Sequence, residues 1–272
     1  MFNDAMLNVV TYLESLDDVS NVDLKLLGEG SVIDINTWER KNLPYKIPND
    51  MKGMYTLFNG FELKWKAIVG SQTLEIGHLC VNKMDKITRI PLDGQFMPST
   101  TSSNYESVDT EGSTGFLLDS HPMCGQIVLV YCSRSRDTAG QPQVQFDHPE
   151  VWLQDNSLRW HFIASTFTQF CRLMVVHLGI VGWPLAFTPE GLSPVTTQWM
   201  NIYCKERLIL DLHWQKKVQS PPVIVSPPIT GVNIRGHTAK HTVSPSSTPV
   251  RKLNTEFLKA DSASKMDIDG IQ

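Results

Sequence analysis

The sequence is short of cysteine, lacks a long apolar run and lacks a nucleotide-binding loop, and each shortage excludes a class of protein. Its five cysteines (Cys80, Cys124, Cys132, Cys171 and Cys204) are an odd number with no CxxC pair. That argues against a disulfide framework and for a reducing compartment. No apolar stretch reaches the roughly 20 residues that a membrane-spanning helix needs, and the longest, around 173–180, is broken by His177 and Gly179. The opening residues MFNDAM lack the basic and apolar regions of a signal peptide, so a cytoplasmic location is expected. There is no P-loop and no GxSxG elbow. Gly28-Glu29-Gly30 begins like a dinucleotide loop, but Ile33 stands where the third glycine belongs, so it reads as a surface turn.

What is present is a composition of 41% hydrophobic residues over 272, that of a globular protein, with a net charge of −4. The charge is unevenly placed. From Gln215 onward eight basic residues face four acids, which leaves the preceding 214 residues with 16 basic and 24 acidic ones. An acidic body argues against general nucleic-acid binding. The end segment 215–272 holds Pro221-Pro222, Pro227-Pro228, Pro245 and Pro249 among Ser, Thr and Lys. It cannot bury enough apolar surface to offset its ordering entropy, so the expectation is a folded domain over 1–214 and a disordered basic tail over 215–272.

Within the body, apolar residues at three- and four-residue steps predict a helix over 4–16, carrying Met6, Val9, Val10, Leu13 and Leu16. An alternating piece at 22–26 predicts a strand. Helices are expected over 34–42, with Trp38, and over 49–58, after Pro48 and closed by Asn59-Gly60. Strands over 61–69 and 73–79 form a hairpin through Gly70-Ser71, with Phe61, Leu63, Trp65 and Ala67 on one face. A helical turn is expected near 84–90, a polar loop over 93–113 and a polar insert over 133–143. Strands follow at 115–118, 126–131, 151–153 and 158–162. The unbroken run Ile127-Val128-Leu129-Val130 belongs at a sheet centre. A helix is expected over 163–178, ended by Gly179, and another from Ser193-Pro194 that fades before Trp214. The class is α+β: helices first, an antiparallel sheet in the middle, helices last.

The search for chemistry finds little. His78 and Cys80, with His121 and Cys124, are four residues of metal-ligating type, but their spacing matches no common zinc module. His78 and Cys80 would share one face of a strand, an ordinary arrangement, so no metal is expected. Cys171 and Cys132 fall on core positions, as do Trp65, Trp160 and Trp199, and Asp17-Asp18 reads as a solvated helix end. No catalytic or cofactor-binding residue stands out. The residues favour an interaction module over an enzyme.

Two segments carry a resemblance. Trp38-Glu39, Ile47-Pro48-Asn49-Asp50-Met51-Lys52, Leu57-Phe58-Asn59-Gly60-Phe61 and Trp65 look like the SUKH superfamily. Trp160-His161-Phe162, Thr166-Phe167-Thr168, Arg172-Leu173, His177-Leu178-Gly179, Trp183, Ala186-Phe187-Thr188, Gly191-Leu192-Ser193-Pro194 and Gln198-Trp199 resemble the subunit 2 family of the tubulin polyglutamylase complex, a divergent SUKH-type group. The resemblance covers most of 6–203. It implies a non-catalytic scaffold or targeting subunit in the cytoplasm on the microtubule cytoskeleton, including the centrosomal or centriolar region. The glutamate ligation, with its ATP and Mg²⁺, belongs to a tubulin-tyrosine-ligase-like catalytic partner, so no cofactor is expected here. Tubulin tails are acidic, so Lys216, Lys217, Arg235, Lys240, Arg251 and Lys252 are candidates for microtubule contact. The alternative is a SUKH-type interaction module with another client, docked in a groove bordered by Trp38, Asn59, Gly60 and Trp65.

Overall fold

The computed structural model describes residues 2–92, 108–134, 145–146 and 148–219. The first helix, α1 (Phe2–Glu14), buries Met6, Val9 and Leu13, the stripe its periodicity predicts. Strand β1 (Val19–Leu26) follows. Helix α2 (Val32–Lys41) starts two residues before the expected Asp34, because the Ser31 side chain accepts the Asp34 N–H and caps it there. Helix α3 (Asn49–Tyr55) begins after Pro48 and buries Met51, Met54 and Tyr55.

The β structure forms two antiparallel sheets among the described residues rather than the single central one expected. Strands β2 (Phe61–Val69) and β3 (Gln72–Val81) form the predicted hairpin, and β1 pairs with β2 to complete a three-stranded sheet. The second sheet runs β4 (Arg89–Ile90), β5 (Val108–His121), β6 (Gly125–Arg134), β8 (Glu150–Gln154) and β9 (Trp160–Ala164), with β7 (Gln145–Phe146) also on β6. The Asn82 N–H donates to the Leu118 carbonyl at 2.8 Å, so the end of β3 meets the end of β5 at a seam between the sheets. Strand β6 has the expected central place. Ile127, Leu129 and Tyr131 face the main core, while Val128, Val130 and Cys132 join Leu92, Trp152 and Trp160 in a smaller one.

Three expectations need correction. The loop set over 93–113 ends earlier, since β5 begins at Val108, and 93–107 lies outside the described residues. The insert 133–143 opens on β6, which runs to Arg134, and 135–143 lies outside them too. Helix α4 (Phe167–Val176) begins four residues after the expected Ile163. Ile163 and Ala164 complete β9, with Ala164 opposite Val151, and Thr166 caps the helix by accepting the Gln169 N–H. The helix ends on left-handed Leu178 and Gly179.

Ser193 and Pro194 start α5 (Pro194–Tyr203) as predicted, the Ser193 hydroxyl accepting the Thr196 N–H at 3.0 Å. The chain breaks at Cys204 and resumes as α6 (Lys205–Gln219), so helix continues past the boundary placed after 214. The predicted disordered tail lies, beyond Gln219, outside the described residues.

Candidate functional site

Among the described residues, one group of side chains of metal-ligating type lies at the seam. Alternation along β3 puts His78 and Cys80 on one face, and the last turn of the β5 ladder brings Asp119 against them. One ligand-type atom from each of the three lies within 4.8 Å of the others. The His121 ring is 5.1 Å from that of His78, centroid to centroid, and Cys124 lines the same cavity. Phe170 and Met174 of α4 and Trp183 line its other side, and its volume is about 20 Å³. That is room for about one water molecule and none for an organic substrate.

Burial and the neighbouring Asp119 carboxylate push the Cys80 thiol well above its usual range. The same two causes push Cys124 up to about 12. Burial likewise raises Asp119, only partly offset by His78, and lowers His121. The thiols are therefore held protonated, the reverse of what an activated nucleophile requires. Sequence reasoning singled out His78, Cys80, His121 and Cys124 but missed Asp119, and the fold joins positions that linear spacing keeps apart.

The four residues proposed to border a docking groove are instead parts of the framework. Trp65 is fully buried, and its indole Nε1 donates to the Leu178 carbonyl at 2.9 Å. Trp38 is 5% exposed and donates to the Ile87 carbonyl at 2.9 Å. Asn59 is half-buried and its Oδ1 accepts the Met84 N–H at 2.8 Å. Gly60 has φ +80°, and a Cβ there would sit 2.6 Å from the Val81 carbonyl oxygen. Large apolar side chains flanking a tight turn are drawn into the core, and Trp38 and Trp65 are buried accordingly. Of the basic candidates, Lys216 is exposed on α6. Lys217 continues the same helix with its side chain outside the described residues, and Arg235, Lys240, Arg251 and Lys252 lie outside them entirely.

The residues of the two recognised segments lock the fold together. Glu39 is buried and accepts the Ile47 N–H, with Lys52 and Lys46 paired to it at 2.7 and 3.3 Å. Asp50 reaches from the first segment to the second, accepting the Thr168 N–H and hydroxyl at 2.8 and 3.0 Å. Asp155 accepts the N–H groups of Ser157 and Arg159 and meets His161 Nε2 at 2.9 Å. Arg159 pairs with Asp155 and with Glu190. His177 is fully buried, stacks on Trp183 and meets Asp211. These histidines and carboxylates serve the structure.

Tubulin polyglutamylase complex subunit 2 of Rattus norvegicus is 32% identical to this chain over 215 residues, spanning 72% of this chain and 69% of the relative. The protein of the same name from Mus musculus gives the same figures. That from Homo sapiens is 30% identical over 212 residues, spanning 72% of this chain and 68% of its own length. No family model and no solved structure matches the chain.

Proposed function

The chain belongs to the family of tubulin polyglutamylase complex subunit 2, and we propose that it acts as a non-catalytic subunit of such a complex. In this reading it holds or places a tubulin-tyrosine-ligase-like partner, and the partner ligates glutamate to tubulin tails. Its setting is the cytoplasmic microtubule cytoskeleton. The relationship over 215 residues carries the proposal. Two features of the molecule support it. The buried histidines are engaged with structural carboxylates, and the seam thiols are held protonated. Helix α6 turns Leu208 and Asp211 inward yet leaves Ile209, Leu210, Leu212 and Trp214 exposed, an apolar surface of the kind a subunit covers on assembly.

The basic end is the part we assign to microtubules. Six of its residues, Lys216, Lys217, Arg235, Lys240, Arg251 and Lys252, supply positive charge that acidic tubulin tails attract. A tagged full-length chain recovered from native cells should bring down a tubulin-ligase-like enzyme, identified by mass, and recovery without such an enzyme counts against the subunit role. Co-sedimentation of the chain with microtubules should weaken with added salt and on deletion of 220–272. Binding insensitive to both would exclude the tail as the contact.

A further inference from the structure

We propose that His78, Cys80 and Asp119 bind one divalent cation of the zinc class at the seam between the two sheets. The three offer a nitrogen, a sulfur and an oxygen within 4.8 Å of one another. In a tetrahedral zinc site, bonds of about 2.0–2.3 Å set ligand atoms roughly 3.3–3.8 Å apart. Closing the remaining distance of about 1 Å is within the reach of side-chain torsions. The backbone beneath is fixed by the Asn82–Leu118 hydrogen bond, so two strands present their ligands in one register.

The cavity decides what accompanies the ion. A volume of about 20 Å³ takes one water as the fourth ligand and nothing larger. Phe170, Met174 and Trp183 screen it on one side, and Glu62 Oε1 lies 3.5 Å from His78 Nε2, placed as an outer carboxylate that orients a metal-bound imidazole. The donor set selects the metal. Calcium and magnesium want oxygen ligands and would find one carboxylate here, whereas zinc accepts sulfur, nitrogen and oxygen together. On binding, Cys80 gives its thiol proton to solvent and the sulfur takes the vacated place on the ion, so uptake weakens as pH falls. A cation here would tie β3 to β5 and brace the side of the core under α4.

The test uses the purified full-length chain. After exposure to micromolar zinc and exhaustive dialysis, elemental analysis should find one zinc per chain. Replacement by Co²⁺ should produce the near-ultraviolet charge-transfer band of a thiolate–cobalt bond. Cys80→Ser should abolish that band, Asp119→Asn should weaken uptake by more than about tenfold, and Cys204→Ser, away from the cluster, should leave both unchanged. Absence of zinc from the unmutated folded chain overturns the proposal. So does a cobalt spectrum without the thiolate band, or uptake that persists when His78, Cys80 and Asp119 are all replaced by alanine.

Discussion

His177 Nε2 lies 2.9 Å from Asp211 Oδ2, and both residues are buried. The pair joins the end of α4 to the middle of α6. The opposite ring nitrogen, Nδ1, lies 2.6 Å from the Leu173 carbonyl oxygen, which can only accept, so Nδ1 carries a proton and donates. Arg207 reaches both members, its Nε 3.2 Å from His177 Nε2 and its guanidinium on the other carboxylate oxygen. The buried carboxylate is compensated by the guanidinium on one oxygen and the imidazole beside the other, where alone it would be costly.

Removing one member should therefore cost more than an ordinary surface pair. Asp211→Ala leaves His177 and Arg207 facing an unfilled site and is expected to lower stability by about 3–5 kcal/mol. Asp211→Asn, which keeps shape and one acceptor, should cost less. Urea unfolding of the two variants checks both the size and the order.

A second long-range contact carries a sharper prediction. The Trp65 indole donates to Leu178, and Gly77 lies against the same ring: a Cβ on Gly77 would come 1.7 Å from Trp65 Nε1. Gly77→Ala should destabilise by about 3 kcal/mol through overpacking. Trp65→Ala should cost a similar amount through the cavity it leaves. The double variant should then be more stable than the sum predicts by at least about 1 kcal/mol, because the alanine methyl has room once the ring is gone. Strict additivity in the unfolding data would show that the two residues do not meet.

How much of this was legible beforehand follows from the range of each interaction. The α1 stripe, the hairpin of β2 and β3 and the Ser193-Pro194 start of α5 are written in local periodicity and capping chemistry, and they fold as read. Ile163 continues the apolar spacing of α4, but periodicity cannot say that β8 claims it through Ala164 and Val151. Alternation alone puts Trp65 on the core face of its strand, but nothing local shows that Leu178 awaits its indole nitrogen, or Ile87 that of Trp38. The seam cluster failed in the same way. Spacing displayed His78 and Cys80, while Asp119 joins them through the meeting of two sheets.

The electrostatic clamps make stability depend on acid in a defined direction. Burial alone would raise Glu39 and Asp155. Lys52 and Lys46 hold the first below its ordinary 4.5, and His161, the Arg159 and Ser157 N–H groups and the Arg159 charge hold the second below 3.8. A carboxylate depressed in the folded state binds its proton first in the unfolded chain. The stability it gives is thus present above the unfolded value and lost as pH falls through the folded one. Thermal midpoints should decline from about pH 4.5 downward. Glu39→Gln and Asp155→Asn should start lower at pH 7 and show a shallower acid slope.

The exposed side of α6 gives a test of assembly that is separate from folding. Leu210 is 55% exposed and the buried residues of the helix lie on its other face. Leu210→Glu should leave the unfolding midpoint within about 0.5 kcal/mol of the parent chain. If α6 meets another subunit, the same change should cut recovery of the partner enzyme by about tenfold, the effect of burying an unpaired charge. Full recovery would move the contact elsewhere.

The contribution of the last turns of α6 to stability can be measured as well. Gln215 Nε2 donates to the Ala186 carbonyl at 3.2 Å, and Trp214 lies 5.7 Å from Phe187, ring centroid to ring centroid. Both contacts attach the last turns of α6 to the loop that follows α4. A chain ending after residue 214 keeps the tryptophan but loses the Gln215 bond and leaves the final carbonyls of a shortened helix without a following turn. It should unfold about 1 kcal/mol more easily than a chain ending after 219. Equal midpoints for the two fragments would show that residues 215–219 add nothing to the stability of the body.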